Sequence, residues 1–311
     1  MKVVYMGTPD FAVNTLESII EAGHDVVAVV TQPDKPKGRG KAMQFTPVKE
    51  VAVAHDIPVY QPVKVRDPEF VMQLREMAPD IIVVVAFGQI LPEEILNLPK
   101  FGCVNVHASL LPKYRGAAPI QWSILDGETE TGVTIMYMEK GLDTGDMISK
   151  VVVPIDATDT GDSLHDKLAE AGAKLLVETL PAIEQGNIQP EKQDDEKSCY
   201  AKMLSKDMGK IDFAKTAVEI ERLIRGMNSW PSAYTCYQGK TLKIFEAQIV
   251  EGAGAPGEVI AVDKKSFTVM CKDQALRILN LQMEGKKRMD TQAFLLGKTV
   301  TVGEMLGWNN Q

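Results

Sequence analysis

The sequence predicts an α/β protein in which a doubly wound, mostly parallel sheet is followed by a small OB-like β-barrel. Three observations support this fold class. Strand-like and helix-like segments alternate over the first half of the chain. One of those strands, Asp80–Phe87, is nearly unbroken in its apolar character, as a central parallel strand is. After a polar stretch, short alternating segments recur about every eight to twelve residues, which is typical of a small barrel.

Composition sets the broad class. The chain has 311 residues, of which 45% are hydrophobic and 24% charged, values that suit a soluble globular protein of two domains. The longest apolar run, Ile81–Phe87, is far too short to span a membrane. The four cysteines are scattered and form no CxxC pair, so we expect no metal site and a reducing cytoplasmic location.

The charge is unevenly distributed along the chain. The net charge of −8 argues against a large nucleic-acid partner, yet residues 206–311 carry 15 basic and 12 acidic side chains. A mildly basic carboxyl-terminal third beside an acidic body suggests a polyanion that is bound locally. Ordinary variation in composition explains the same asymmetry, so charge alone leaves both interpretations open.

The chain opens with a βαβ pattern. Lys2–Met6 is a valine-rich strand, Phe11–Ala22 an amphipathic helix that ends at Gly23, and Asp25–Thr31 a second strand. This order predicts a parallel sheet. The turn Gly7-Thr8-Pro9 holds one glycine where a dinucleotide fingerprint needs three, so the sequence argues against a nicotinamide-dependent oxidoreductase.

The same periodicities predict the remaining elements. Further helices are expected at Pro47–His55, Asp67–Met77, a short segment ending at Leu98, Ala118–Leu125, Ser163–Glu184 and Thr216–Met227. Further strands are expected at Val59–Tyr60, Cys103–Ala108, Thr131–Met138, Met147–Val153, Ala233–Tyr237, Leu242–Val250, Gly257–Val262, Ser266–Cys271 and Leu276–Met283. Residues 186–199 are polar and charged with few large apolar side chains, which predicts a linker.

The segment Gln32–Pro47 is unusual for a connection between a strand and a helix. It contains three prolines and two glycines and is longer than such connections usually are. Four basic residues alternate along it, namely Lys35, Lys37, Arg39 and Lys41. The segment is therefore either a solvated surface loop or an arm that contacts phosphate groups.

Chemistry is expected at the carboxyl end of the strand Cys103–Ala108. Asn105 and His107 are two residues apart, so their side chains project from the same face of this strand. Asp143 lies in a glycine-punctuated loop that follows Thr131–Met138, another strand of the same predicted sheet. An amide can donate to an oxyanion, and a histidine beside a carboxylate can transfer protons. Each of the three residues taken alone is equally compatible with a structural role.

No serine or cysteine lies in a nucleophile elbow, so the sequence does not indicate a covalent acyl-enzyme. The three side chains instead suit direct attack by an external amine on a carbonyl carbon. A single family signature connects them. Asn105-Val106-His107, Ser109–Pro112, Tyr114–Gly116 and Asp143–Gly145, in this order, closely resemble the signature of the folate-dependent formyltransferases. Gly7-Thr8-Pro9 and Phe87-Gly88 are also similar to elements of that family.

The resemblance covers the whole chain and implies specific roles. It implies a Rossmann-like catalytic domain over 1–189, a linker over 190–205 and an OB-like tRNA-binding domain over 206–311. It makes Asn105, His107 and Asp143 the catalytic residues. The stretch Ser109, Leu110, Leu111 and Pro112 becomes part of the site for the formyl donor, 10-formyltetrahydrofolate.

The loop 32–41 and the second domain are similar to those of family members that formylate initiator methionyl-tRNA for translation initiation. Arg39 and Lys41 are then the expected tRNA contacts, with no metal ion required and a monomer as the acting species. Three alternatives remain open at this point. The chain could transfer formyl groups to a small amine, hydrolyse the formyl donor with water, or bind RNA without catalysis.

Overall fold

The computed structural model describes residues 1–37 and 42–308. The chain forms two compact units. Unit 1 consists of Met1–Pro119, Glu130–Pro154 and His165–Ala201. Unit 2 consists of Ile120–Thr129, Ile155–Leu164 and the chain from Lys202 onward. Two early segments therefore belong to the second unit, and the domain limits 1–189, 190–205 and 206–311 stay predictions.

The helices and strands follow one another in chain order. The strands are β1 (Lys2–Gly7), β2 (Asp25–Val30), β3 (Lys35–Lys37), β4 (Ala42–Gln44), β5 (Val59–Tyr60), β6 (Ile81–Val85), β7 (Cys103–His107), β8 (Arg115–Gly116), β9 (Glu130–Tyr137), β10 (Met147–Pro154), β11 (Tyr200–Ala201), β12 (Ala233–Tyr237), β13 (Lys240–Val250), β14 (Val259–Val262), β15 (Phe267–Met270), β16 (Ala275–Met283) and β17 (Met289–Asp290). The helices are α1 (Val13–Glu21), α2 (Pro47–Ala54), α3 (Pro68–Met77), α4 (Glu93–Leu96), α5 (Pro119–Leu125), α6 (Gly161–Gln185), α7 (Ala217–Gly226) and α8 (Thr291–Gly297).

Unit 1 is built on a seven-stranded sheet in the order β10-β9-β7-β6-β1-β2-β5. The five strands from β7 to β5 are parallel to one another. Strands β9 and β10 add an antiparallel edge beside β7. The predicted mostly parallel sheet is thus confirmed, and β7 lies at the boundary between its parallel and antiparallel parts.

Apolar side chains cover both faces of this sheet, which explains its buried central strands. On one face, Val4 and Met6 join a cluster with Phe70 and Leu74 of α3. On the other face, α6 approaches so closely that a Cβ at Gly172 would lie 2.9 Å from Cγ1 of Val106. Helices therefore pack on both faces, and the predicted doubly wound architecture is confirmed.

Unit 2 contains a second sheet, antiparallel throughout, in the order β12-β13-β16-β15-β14, with β17 paired to β16. Its core includes Phe267, Ile278 and Leu281 from the sheet together with Ile220 and Ile224 of α7. Strand β13 carries register shifts on both sides of Glu246, and such irregularities bend a strand. This unit agrees with the predicted small barrel-like domain.

The structure adds elements that periodicity did not predict. Strands β3 and β4 pair as a hairpin on either side of residues 38–41, within the segment interpreted above as a loop or arm. The base of this hairpin is anchored where Lys49 Nζ donates to Asp34 and Gln61 Nε2 donates 2.8 Å to the same carboxylate. Strands β3 and β4 have only three residues each and lie in a proline-rich segment without apolar periodicity, so no pattern indicated them.

The polar segment interpreted as a linker also carries structure. Its residue Glu191 forms an antiparallel bridge with Met147, and β11 pairs in parallel with β8. Within the described ranges, no helix is long and apolar enough to cross a bilayer. Over the same ranges, no group of three or more histidine, cysteine, aspartate and glutamate side chains is placed to hold a metal ion.

Candidate active site

Strand β7 carries the first two predicted site residues. Asn105 pairs in register with Val84 of β6 and with Met136 of β9. Asn105 is half-buried, whereas only 6% of His107 is exposed. Both side chains leave the same face near the carboxyl end of the strand, which is the edge of an open α/β sheet where ligands bind.

The imidazole of His107 lies between two hydrogen-bond acceptors. Its Nε2 atom is 2.9 Å from the carbonyl oxygen of Tyr114, and its Nδ1 atom is 3.8 Å from Oδ2 of Asp143. A carbonyl oxygen only accepts, so Nε2 carries a hydrogen in this arrangement. The distance of 3.8 Å is that of an ion pair and exceeds a hydrogen bond. The Nδ1 atom therefore faces the carboxylate of Asp143 without a hydrogen bond to it.

A tight loop from Gly141 to Gly145 presents the carboxylate of Asp143. Asp143 has a φ of 54°, a left-handed conformation that aspartate tolerates better than most residues. A Cβ at Gly145 would lie 1.9 Å from the carbonyl oxygen of Tyr137, so only glycine fits there. The backbone N–H of Gly116 donates a 2.8 Å hydrogen bond to Oδ2 of Asp143. The close packing of its own loop and the N–H of Gly116 therefore both fix the position of Asp143.

The amide of Asn105 is free to contact a ligand. Among residues 1–37 and 42–308, no group forms a hydrogen bond with this side chain. Its two N–H donors project from the same strand face as the imidazole of His107. An unpaired amide beside a protonatable ring is a suitable pair of donors for an oxyanion.

The segment Ser109–Pro112 forms a turn directly after β7. Ser109 is fully buried, and its hydroxyl donates 2.7 Å to the carbonyl oxygen of Lys113. Leu111 is buried against Met136 and Met147. The side chains of Leu110 and Pro112 are half-buried. Ser109 and Leu111 therefore stabilise the turn through buried contacts. Leu110 and Pro112 are the accessible side chains of the turn.

One threonine fixes the path of this turn. Thr134 of β9 is completely buried, and its hydroxyl donates 2.7 Å to the carbonyl oxygen of Ser109. The hydroxyl oxygen of Thr134 in turn accepts a 3.1 Å hydrogen bond from the backbone N–H of Leu111. Thr134 therefore ties the first and third residues of the turn to the antiparallel part of the sheet.

Profiles of known families match most of the chain. The profile described as "Formyl transferase" matches residues 1–180, which is more than half of the chain. A second profile, "Formyl transferase, C-terminal domain", matches residues 203–299. The chain belongs to the formyl transferase family. The family resemblance that the sequence motifs suggested is thereby confirmed.

Relatives within the family extend over the full length. The chain is 56% identical over 314 residues to the "Methionyl-tRNA formyltransferase" of Lachnospira eligens, covering 99% of this chain and 100% of that protein. It is 52% identical over 309 residues to the protein of the same name from Clostridioides difficile, again covering 99% and 100%. Both units of this chain therefore have counterparts in these relatives.

Solved structures support the fold. An N-formyltransferase from Helicobacter canadensis, in complex with folinic acid and dTDP-3-aminofucose, superimposes with a TM-score of 0.69 at 24% identity, covering 89% of this chain and 98% of that one. HypX from Aquifex aeolicus in complex with tetrahydrofolic acid gives a TM-score of 0.63 at 18% identity, covering 97% and 50%. At these identities the likeness concerns the fold alone.

The predicted site residues divide into two groups. Asn105, His107, Asp143 and the turn Ser109–Pro112 come together around the carboxyl end of β7. The expected tRNA contacts Arg39 and Lys41 lie outside the described residues. Their role stays a prediction, as do the individual roles of the first group.

Sequence analysis missed one buried polar residue beside the site. Gln193 is 5% exposed and hydrogen-bonds the Asp143 loop and Arg115, although it lies in the segment interpreted as a linker. Its neighbours Lys192 and Asp194 are charged, and no local pattern distinguishes it. The nearest signal in the sequence is the family motif Tyr114–Gly116. It contains Arg115, a charged side chain that needs a polar partner when it is removed from water.

Proposed function

We propose that the chain transfers the formyl group of 10-formyltetrahydrofolate to the α-amino group of methionyl initiator tRNA. The observation that carries this proposal is the 56% identity, over 99% of the chain, to a relative named "Methionyl-tRNA formyltransferase". The geometry around β7 supports the chemistry, because the free amide of Asn105 and the imidazole of His107 leave the same strand face. The product is formylmethionyl-tRNA for translation initiation.

In the proposed reaction, the neutral amine of the methionyl group attacks the formyl carbon. A new carbon–nitrogen bond forms, and the bond between the formyl carbon and N10 of the folate breaks. Asn105 donates hydrogen bonds to the oxygen that becomes negative during the attack, and His107 donates to it from Nδ1 once that nitrogen has taken up a proton. The attacking nitrogen loses one proton and N10 gains one, and His107 carries it between them. Asp143 stabilises the positive charge on the ring while the proton is held there.

The proposed folate site uses the turn after β7. Ser109 and Leu111 are buried, so their contribution is to place the backbone, and Leu110 and Pro112 supply the accessible surface. Support for a folate as the donor comes from structural neighbours whose complexes hold folinic acid or tetrahydrofolic acid. The proposed chemistry needs no metal ion, since charge is stabilised by side-chain donors.

The proposed tRNA contacts are in the sequence segment 32–47 and in unit 2. Arg39 and Lys41 extend the row of basic residues that begins with Lys35 in β3. The whole of the basic region 206–311 belongs to unit 2. Neutralisation of phosphate charges by these residues makes tRNA affinity fall as salt rises. We further propose that the protein acts as a monomer in the cytoplasm, where initiator tRNA is formylated.

A competition assay tests the acceptor. Labelled 10-formyltetrahydrofolate is offered with methionyl initiator tRNA, glycinamide ribonucleotide, dTDP-3-aminofucose and water as alternative acceptors. We expect label in the tRNA alone. Transfer to either small amine, or release of formate in the absence of any amine, would retain the site chemistry and overturn the proposed acceptor. Absence of any transfer would overturn the activity itself.

A further inference from the structure

A segment that follows α6 is hydrogen-bonded to the Asp143 loop. We call residues 187–201 the strap; they belong to unit 1. At one end, Glu191 and Met147 exchange two backbone hydrogen bonds of 2.8 Å. At the other end, the carbonyl oxygens of Cys199 and Ala201 accept from the N–H groups of Arg115 and Ala117. The strap therefore joins the start of β10 to β8, and the Asp143 loop lies between these attachment points.

Gln193 occupies the middle of the strap and uses every polar group of its amide. Its Nε2 atom donates 2.8 Å to the carbonyl oxygen of Asp143 and 2.8 Å to that of Gly145. Its Oε1 atom accepts 2.9 Å from Nε of Arg115. Only an amide combines two donors and an acceptor at this reach, since a glutamate would direct a second oxygen at two carbonyls.

These contacts join both segments that set the position of the Asp143 carboxylate. On the side of the Asp143 loop, Gln193 donates to the carbonyl oxygen of Asp143 itself. The φ of Asp143 is 54°, a strained conformation that needs support from surrounding contacts. The opposite side is held through Arg115, whose neighbour Gly116 donates to Oδ2 of Asp143. Nη2 of Arg115 also donates 2.8 Å to Asp195, a second strap residue. A displacement of Gln193 would therefore shift the Asp143 loop and Arg115 together.

We infer that Gln193 is a positioning residue that holds the Asp143 carboxylate beside His107. Gln193 acts on the ring indirectly, through its hydrogen bonds to the Asp143 loop and to Arg115. Because the inference concerns the role of Asp143 in formyl transfer, it rests on the proposed function. A misplacement of catalytic groups by about 1 Å, caused by a change away from the chemistry, can cost roughly 100-fold in rate.

The first test compares Gln193→Met with Gln189→Met. Methionine has the length of glutamine without its hydrogen bonds, and Gln189 is an exposed glutamine of the same strap. We expect kcat of Gln193→Met to fall about 10-fold or more, with KM for folate and for tRNA within about twofold. We expect Gln189→Met to match the unmodified protein. A kcat of Gln193→Met within about twofold of normal contradicts the inference.

The second test observes the ring directly and needs no substrate. The protein has four histidines, so their ring nitrogens are resolvable by ¹⁵N NMR. In Gln193→Met we expect the His107 signals to move towards their positions in Asp143→Asn, with His24, His55 and His165 unchanged. If His107 does not move while kcat falls, Gln193 acts on stability alone and the inference is wrong.

If Gln193→Met does not fold, Gln193→Glu replaces it, because glutamate keeps the acceptor for Arg115 and removes both donors; the same NMR pattern is expected. If the unmodified protein does not formylate methionyl-tRNA, the proposed function fails. The histidine spectra then still decide whether Gln193 positions Asp143, since they are recorded on the free protein.

Discussion

The backbone N–H of Gly116 donates a 2.8 Å hydrogen bond to Oδ2 of Asp143, the oxygen that lies 3.8 Å from Nδ1 of His107. The donor residue, Gly116, has a φ of 108°, which residues with a side chain rarely adopt. A side chain at Gly116 would place its Cβ 2.8 Å from the carbonyl oxygen of Ala201. The hydrogen bond to Asp143 therefore depends on the absence of a side chain at this residue.

Replacement of Gly116 tests this dependence. In Gly116→Ala we expect the contact with the strap backbone to move β8, so that kcat falls and the free energy of unfolding decreases. Gly186→Ala is the matched control, because Gly186 also has a positive φ of 69° but a Cβ there would meet nothing within 4 Å. The control should lose only the roughly 1–2 kcal/mol of a left-handed alanine. Equal kcat values in the two variants would contradict the role of the Gly116 donor.

Removal of the Asn105 amide tests the oxyanion proposal. In Asn105→Ala we expect kcat to fall about 10²–10³-fold, because one preorganised donor to the developing charge is lost. Equilibrium binding of the folate should change little, since the donor acts on the transition state. Single-turnover kinetics with a folate-binding titration measure both quantities. Asn97→Ala, at an exposed asparagine after α4, is the control, and near-normal turnover in Asn105→Ala would refute the assignment.

The buried hydroxyl of Thr134 tests the proposed folate turn. Thr134→Val keeps the shape of the side chain but leaves the carbonyl of Ser109 and the N–H of Leu111 without their partner. We expect KM for the folate to rise and unfolding to become easier by about 1–3 kcal/mol. Steady-state kinetics and chemical denaturation measure the two effects.

Thr235→Val in unit 2 is the opposite case and serves as the control. The hydroxyl of Thr235 is buried and, among the described residues, lacks a hydrogen-bond partner. Its removal should stabilise the protein by about 1 kcal/mol without any effect on KM. If both valine variants change stability in the same direction, the hydrogen bonds of Thr134 are not what supports the turn.

The anchor of the hairpin predicts a pH dependence of stability. The hydrogen bond from Lys49 holds the pKa of Asp34 below its ordinary value of 3.8. The folded-state pKa is thus lower than the unfolded-state pKa, so this contribution is complete above pH 3.8 and is lost as pH falls through the folded-state value. Lys49→Met should therefore be less stable than the unmodified protein at pH 6, by a difference that shrinks below pH 3.8.

Urea unfolding between about pH 3 and pH 6 measures this difference. Lys64→Met, at an exposed lysine, is the control and should show no such dependence. A stability difference for Lys49→Met that stays constant across the range would show that the pair with Asp34 contributes nothing to folding.

Arg39 tests the proposed tRNA contact. In Arg39→Ala we expect kcat/KM for initiator tRNA to fall and the slope of log affinity against log salt to decrease by about one, because one phosphate contact is removed. KM for the folate should stay the same. Arg66→Ala, at an exposed arginine elsewhere in unit 1, controls for the loss of positive charge. An unchanged kcat/KM in Arg39→Ala would remove this residue from the tRNA site.

Much of the fold and part of the site follow from local patterns. The valine-rich runs predicted the parallel strands, because a strand covered on both faces must be apolar at successive positions. The spacing of Asn105 and His107 placed both side chains on one face of β7, since side chains alternate along a strand. The ordered motifs from Asn105 to Gly145 then indicated the family, which the profile matches confirm.

Only the tertiary structure decided how those residues are held. The bond between Gln193 and Asp143 joins residues 50 positions apart, and the bond between Arg115 and Gln193 spans 78. Such contacts leave no local signal, because a polar segment has the same composition whether it is solvated or packed against a loop. The sequence by itself therefore determined most of the longer elements and which side chains they present. The folded chain determined which partners orient them, because long-range hydrogen bonds exist only after distant segments have come together.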